Sequence, residues 1–132
     1  AASLGLGLVI ASPGTAAAQK KAPPGGAYKE VSTLVPLPNY LPGLGTLYVD
    51  PATLPAGPFL AYDHQGNLGS SIYMIPLKDL NAHKAFTDLK AAHEPVDHVE
   101  VVYNAGHPGV AEPHYHMIVW YVSAERAASL AK

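Results

Sequence analysis

Residues 97 to 123 read Asp-His-Val-Glu-Val-Val-Tyr-Asn-Ala-Gly-His-Pro-Gly-Val-Ala-Glu-Pro-His-Tyr-His-Met-Ile-Val-Trp-Tyr-Val-Ser. Two apolar-rich runs flank a polar stretch bearing glycine and proline, the pattern of two strands joined by a loop. The second strand is expected at 114–122 and the first at 97–103. Side chains alternate between faces along a strand. His114, His116, Ile118, Trp120 and Val122 therefore share one face, and Tyr115, Met117, Val119 and Tyr121 share the other. Both sets are largely apolar, so the second half of this strand should be buried on both sides, Trp120 included.

The same stretch holds four of the seven histidines, His98, His107, His114 and His116. Two strand rises separate the Cα atoms of His114 and His116, roughly 6.5–7 Å. Imidazoles at that spacing on one face can converge on one metal ion. The candidate metal residues are His107, His114 and His116, with Glu112 beside them. Zinc or copper is the ion class expected, and a water would complete an open site. The competing reading is a hydrogen-bonded histidine cluster that orders the loop. A proton-transfer site is also open, with a histidine oriented by Asp97, Glu100 or Glu112.

Outward from this stretch, 132 residues allow one domain with a modest core. Hydrophobic residues make up 48% and charged residues 14%, which marks a globular chain. A formal net charge of −2 and the lack of a basic run exclude a nucleic-acid partner. With no cysteine, neither a thiolate nor a disulfide is available. Stability must come from the core, from association or from a metal.

Residues 1–18 carry no charge. Their apolar part, Leu4 to Ala11, is too short for a membrane-spanning helix. Pro13 and Gly14 break it, and Ala16-Ala17-Ala18 resembles a cleavage site. The stretch reads as a signal-peptide remnant, which places the mature chain in a secreted or periplasmic compartment. Residues 19–27 read as a flexible N-terminus and 28–132 as a single α+β domain.

Proline at 36, 38, 42, 51, 55 and 58 excludes a long helix or a central strand across those points. Short strands are expected at 31–35, 45–49, 59–62 and 71–77, the last two joined by a hairpin loop. Asp79 can cap a helix over 80–92, with Ala82, Ala85, Phe86, Leu89 and Ala92 on one face. His83 and His93 fall outside that face. Ser123 can cap a short C-terminal helix over 124–131. The fold class is α+β: an antiparallel sheet, with barrel-like closure among its possible forms, one main helix and a short C-terminal helix.

Other chemistries find little support. No Gly-x-Ser-x-Gly elbow exists for a serine hydrolase. Gly66-Asn67-Leu68-Gly69 matches no nucleotide-binding pattern and reads as a turn. The His-x-His pair is similar to the cupin pattern, but the next glutamate, Glu125, lies too far along, and a cupin is not assigned. Tyr40, Tyr48, Tyr62, Tyr73, Tyr103, Tyr115 and Tyr121 are expected to pack on sheet faces, with a pocket or an oligomer interface as the alternatives.

Asp97-His98-Val99-Glu100, Asn104-Ala105-Gly106-His107-Pro108, Pro113-His114-Tyr115-His116 and Ser123-Ala124-Glu125-Arg126 carry a resemblance. So, more loosely, do Ala61-Tyr62-Asp63-His64-Gln65-Gly66 and Ile72-Tyr73-Met74-Ile75-Pro76. Together they resemble a family of small, exported, uncharacterised bacterial proteins, one member of which belongs to a Thermus sigma/anti-sigma regulon. The family motif runs Pro-His-aromatic-Asp-aromatic-His. His114 matches its first histidine, His116 replaces the acid, and Ile118 stands at the last histidine. The resemblance implies export, a mixed α/β fold and a homo-oligomer, and it supplies no activity.

Two functions stay open at this level. One is an exported, non-catalytic binding or structural protein that self-associates and carries the histidine cluster. The other is a metal-dependent enzyme using His107, His114 and His116 around an open metal position. No transmembrane helix is expected, and no small-molecule ligand is identified.

Overall fold

A computed structural model describes residues 19–132. The expected signal-peptide remnant, 1–18, lies outside the described residues. The strands are β1 (Lys29–Glu30), β2 (Thr46–Val49), β3 (Phe59–Tyr62), β4 (Leu68–Pro76), β5 (His98–Asn104) and β6 (His114–Trp120). They form one antiparallel sheet in the order β1-β2-β3-β4-β6-β5, with β1 and β5 at its edges. The sheet is open, not a barrel. Helix α1 is Leu77–Asn81 and helix α2 is Ala124–Ala128. Among the described residues, no helix is long and apolar enough to cross a membrane.

The alternation read from residues 114–122 holds in space. Ile118 and Trp120 are buried with Val49, Phe59, Ile72 and Met74 on one sheet face, which the C-terminal Leu130 covers. Burying side chains of this size stabilises the fold by about 1.5–3 kcal/mol each. Leu60, Tyr62 and Leu68 form a smaller cluster on the other face, against Tyr28, Tyr48 and Tyr121. Tyr48, Tyr62 and Tyr121 pack here as expected, Tyr48 meeting Tyr62 edge-on with ring centres 5.5 Å apart. Residues 19–27, expected to be a flexible terminus, also meet this side. The Tyr62 hydroxyl donates to the Gln19 carbonyl, Ala22 N–H donates to Gly66 O, and Pro24 is fully buried.

Two local expectations need correction. The helix expected over 80–92 is instead α1, which starts earlier and stops at Asn81. Its N-cap is Pro76, so Asp79 lies inside the first turn and is not the cap. His83 has a φ of 60°, a left-handed conformation that ends the helix. Beyond it, sheet side chains take the backbone groups a helix would have used: the Tyr73 hydroxyl donates to the Lys90 carbonyl and Ala92 N–H donates to the Tyr121 hydroxyl. The strand expected at 31–35 is a 3-10 turn over Val31–Thr33 followed by an irregular segment, as Pro36 and Pro38 deny it a ladder. At the C-terminus, Ser123 Oγ caps α2 as expected, accepting from Arg126 N–H at 3.1 Å, and a 3-10 turn at Ser129–Ala131 completes the helical stretch.

Strand pairing positions the site. Pro76 lies opposite His114 and Met74 opposite His116 on one side of β6, with Asn104 and Val102 opposite them on the other. The two histidines thus open β6 at the end of the sheet where β4 and β5 also finish.

Candidate metal centre

Residues 105–113 return the chain from β5 to β6 and bring His107 back over the strand face. His107-Pro108-Gly109-Val110 is a tight turn, closed by paired backbone hydrogen bonds between His107 and Val110, both 2.9 Å. Proline presets the first corner, and Gly109, at φ +92°, supplies the left-handed second one. Gly106 is as constrained: at φ +132°, a Cβ there would stand 2.4 Å from the Ala111 carbonyl oxygen. Leu77 N–H donates to Pro113 O at 3.0 Å and fixes the entry into β6.

This geometry gathers His107, His114 and His116, with one ring nitrogen of each within 4.8 Å of the others. His114 is fully buried and the other two are half-buried. His114 Nε2 lies 3.1 Å from His107 Nε2 and 3.0 Å from His116 Nε2. Nitrogens bound tetrahedrally to one zinc at about 2.0–2.1 Å stand roughly 3.3 Å apart, so His114 is already near ligating distance of both neighbours, while His107 and His116 would close toward each other on binding.

The remaining hydrogen bonds fix the tautomers. His114 Nδ1 sits 2.7 Å from the Glu112 carbonyl oxygen, and His107 Nδ1 sits 3.0 Å from the Pro108 carbonyl oxygen. A carbonyl only accepts, so each Nδ1 carries a proton, and in the neutral ring each Nε2 is bare. These are the outer bonds that orient a ligating histidine. Two bare Nε2 atoms therefore oppose each other at 3.1 Å. His116 can donate Nε2–H to His114, but that leaves the His107 lone pair facing nothing positive. A cation between the rings, either a metal ion or a proton bridging two of them, resolves the conflict. A proton is disfavoured at His116, whose pKa is pushed from 6.5 down to about 4, first by burial and then by His114 and His107.

The acidic candidates stand apart from the cluster. The Glu112 carboxylate pairs with Lys78 Nζ at 2.9 Å on the surface, and only its carbonyl serves the site. Asp97 binds His98 Nδ1 at 2.7 Å, and Glu100 accepts from Trp120 Nε1 at 2.5 Å. Both acids lie toward the opposite end of β6, since His98 pairs with Trp120 while Asn104 pairs with His114. None of the three carboxylates orients a cluster histidine.

One large feature lies outside the expectations from the sequence. A cavity of about 390 Å³ adjoins the cluster, and His107 and His116 form part of its wall. Its other walls come from the proline-rich segment and strands β2 to β4, among them Leu37, Leu47, Phe59 and Met74. Asn104, also outside those expectations, is the remaining polar side chain on the wall. The signal available was the run of leucine and valine between residues 31 and 44, apolar yet without a strand or helix period.

No family model and no curated protein matches the chain. Among solved structures, the crystal structure of the hypothetical protein TTHB210 from Thermus thermophilus is similar, with a TM-score of 0.66 and 46% sequence identity. The match covers 72% of this chain and 93% of that one. At that identity and coverage, the chain belongs to the same family as this Thermus protein.

Proposed function

We propose that this chain is a self-associating metal-binding protein in which His107, His114 and His116 hold one zinc or copper ion. The observation that carries the reading is the gathering of three imidazole nitrogens within 4.8 Å, two of the rings, His107 and His114, held by a backbone carbonyl on the far side. Nitrogen ligands without a carboxylate suit zinc and copper better than magnesium or calcium. The test is elemental analysis after exposure to zinc or copper at neutral pH. A ratio near one metal per chain is expected, lost in the His114→Ala, His116→Ala double variant and kept in His83→Ala, His93→Ala. A wild-type ratio near zero leaves the cluster as loop scaffolding.

Self-association rests on β5. It is an edge strand with free backbone groups, and Val99, Val101, Val102 and Tyr103 are exposed on it. Antiparallel pairing of two copies about Val101 sets Val101 against itself and Val99 against Tyr103, with no like charges opposed. Light scattering should give a mass above that of one chain, reduced by Val101→Lys. A wild-type monomer at every concentration removes this part of the proposal.

A metal-dependent enzyme is the second reading, favoured by the cavity beside the cluster. It lacks a positioned general base, because Glu112 is committed to Lys78.

A further inference from the structure

Folded interiors rarely leave empty space larger than a water, because unfilled volume forfeits contacts and stability. The cavity beside the histidines holds about 390 Å³, within the range of small-molecule sites. Its wall is leucine, valine, isoleucine, phenylalanine, methionine and Pro55 apart from Asn104, His107, His116 and the turn residues beside them. An apolar pocket of this size favours apolar guests. At about 30 Å³ per liquid water, this one has room for roughly a dozen non-hydrogen atoms. Leu34 and Leu54 are exposed lining residues and mark its mouth.

The polar end sets the chemistry of the guest. Three histidines on a metal leave a coordination position open. His107 and His116 belong both to the cluster and to the cavity wall, so that position borders the apolar space. Asn104 Oδ1 already accepts from Gly106 N–H at 2.8 Å, which leaves its amide N–H groups as the polar donors of the wall. The wall carries no lysine or arginine. An anionic head group would thus enter without compensation unless the metal supplied the positive charge. With the metal, one head-group oxygen has an ion and a second has the Asn104 amide.

We propose that the cavity binds a medium-chain aliphatic monocarboxylate, its tail among Leu37, Leu47, Phe59 and Met74 and its carboxylate on the histidine-bound metal beside Asn104. This rests on the metal-binding reading above and adds the class of ligand. It makes metal and ligand binding mutually reinforcing, since each raises the affinity of the other by the same factor.

The experiment is calorimetric titration of decanoate, decanol and acetate into zinc-loaded and zinc-free protein. Decanoate is expected to bind the zinc-loaded protein at least about tenfold more tightly than the zinc-free protein, and more tightly than decanol or acetate. Leu37→Trp, which fills the cavity from the irregular segment, should lose decanoate while keeping zinc. Leu47→Trp provides the same filling from β2, and retained zinc uptake reports that either variant has folded. Zinc uptake with no decanoate binding overturns this proposal and spares the metal centre. Equal decanoate affinity with and without zinc also overturns it, because the head group then does not sit on the metal. Absence of zinc uptake overturns the metal centre and this proposal together.

Discussion

The turn between β3 and β4 and the loop between β5 and β6 draw on the same kinds of residue. Each contains a histidine, glycine and an acid. In the first, the Asp63 carboxylate accepts from Gln65 N–H at 2.9 Å, Asn67 N–H at 2.8 Å and Arg126 Nη2 at 3.0 Å. Its histidine, His64, stacks outward on Tyr40 with ring centres 3.7 Å apart. Every strong bond that this turn needs comes from the chain itself. In the second, the acid Glu112 points away to Lys78, and His107 turns inward toward His114. Its turn is closed by the His107–Val110 backbone pair, yet its inward nitrogens crowd together. A cluster of polar side chains is therefore not enough to mark a site. The mark is a set of ring nitrogens that the fold holds converged on one point.

The contrast is broken most directly by removing one side chain from each loop. At a zinc concentration near one hundred times Kd, metal binding should add about 2.7 kcal/mol to the folded state. His107→Gln should abolish most of that gain. Its amide can donate to His114 Nε2, so the metal-free protein should stay within about 1 kcal/mol of the wild type. Asp63→Ala should do the reverse. It deprives several donors of a charged acceptor and should lower metal-free stability by about 1–3 kcal/mol, with the zinc-induced gain unchanged. Denaturant titration of both variants, with and without zinc, checks the pair. If Asp63→Ala also removed the zinc gain, the two loops would not be separate in function.

The unequal legibility of these regions in the sequence has a physical basis. Strand β6 was legible because a half-buried strand writes its faces into alternate residues, and Trp120 and Ile118 lie where that alternation puts them. The His107 turn was legible because Pro-Gly specifies its corners. Local rules failed where distant groups decide. Ala82, Ala85, Phe86, Leu89 and Ala92 have helical spacing, yet the hydroxyls of Tyr73 and Tyr121 occupy backbone groups of that segment. The cavity was illegible for a similar reason. It is bounded by side chains from the 31–44 segment, β2, β3, β4 and the 105–113 loop, and no single stretch records the space between them. The opposed nitrogens depend on carbonyls two residues before His114 and one after His107, and only the folded turn aims these.

Acid separates the two loops by the order in which they fail, and this is the smallest effect expected. His116 has a folded pKa of about 4, below its ordinary 6.5, because burial and then His114 and His107 oppose its charge. Between those values the unfolded chain binds a proton that the folded chain refuses. Stability must therefore rise with pH across that window and fall as pH drops through it. The limiting slope is about 1.4 kcal/mol per pH unit for one proton, and partial exposure of the ring should hold the total to the order of 1 kcal/mol. Asp63 fails later. Burial raises its carboxyl, but the hydrogen bonds from Asn67, Arg126 and Gln65 outweigh that and hold it below the ordinary 3.8. Its contribution is intact above that value and is lost only as pH falls through the lowered pKa. Denaturation midpoints of the metal-free protein measured from pH 7 to pH 3 should show a first decline between 6.5 and 4, removed by His116→Gln, and a second below 4, removed by Asp63→Asn. With zinc bound, protons also compete for the histidine nitrogens, so the first decline should steepen and the second should not. A first decline that persists unchanged in His116→Gln would place the acid-sensitive group outside the histidine loop.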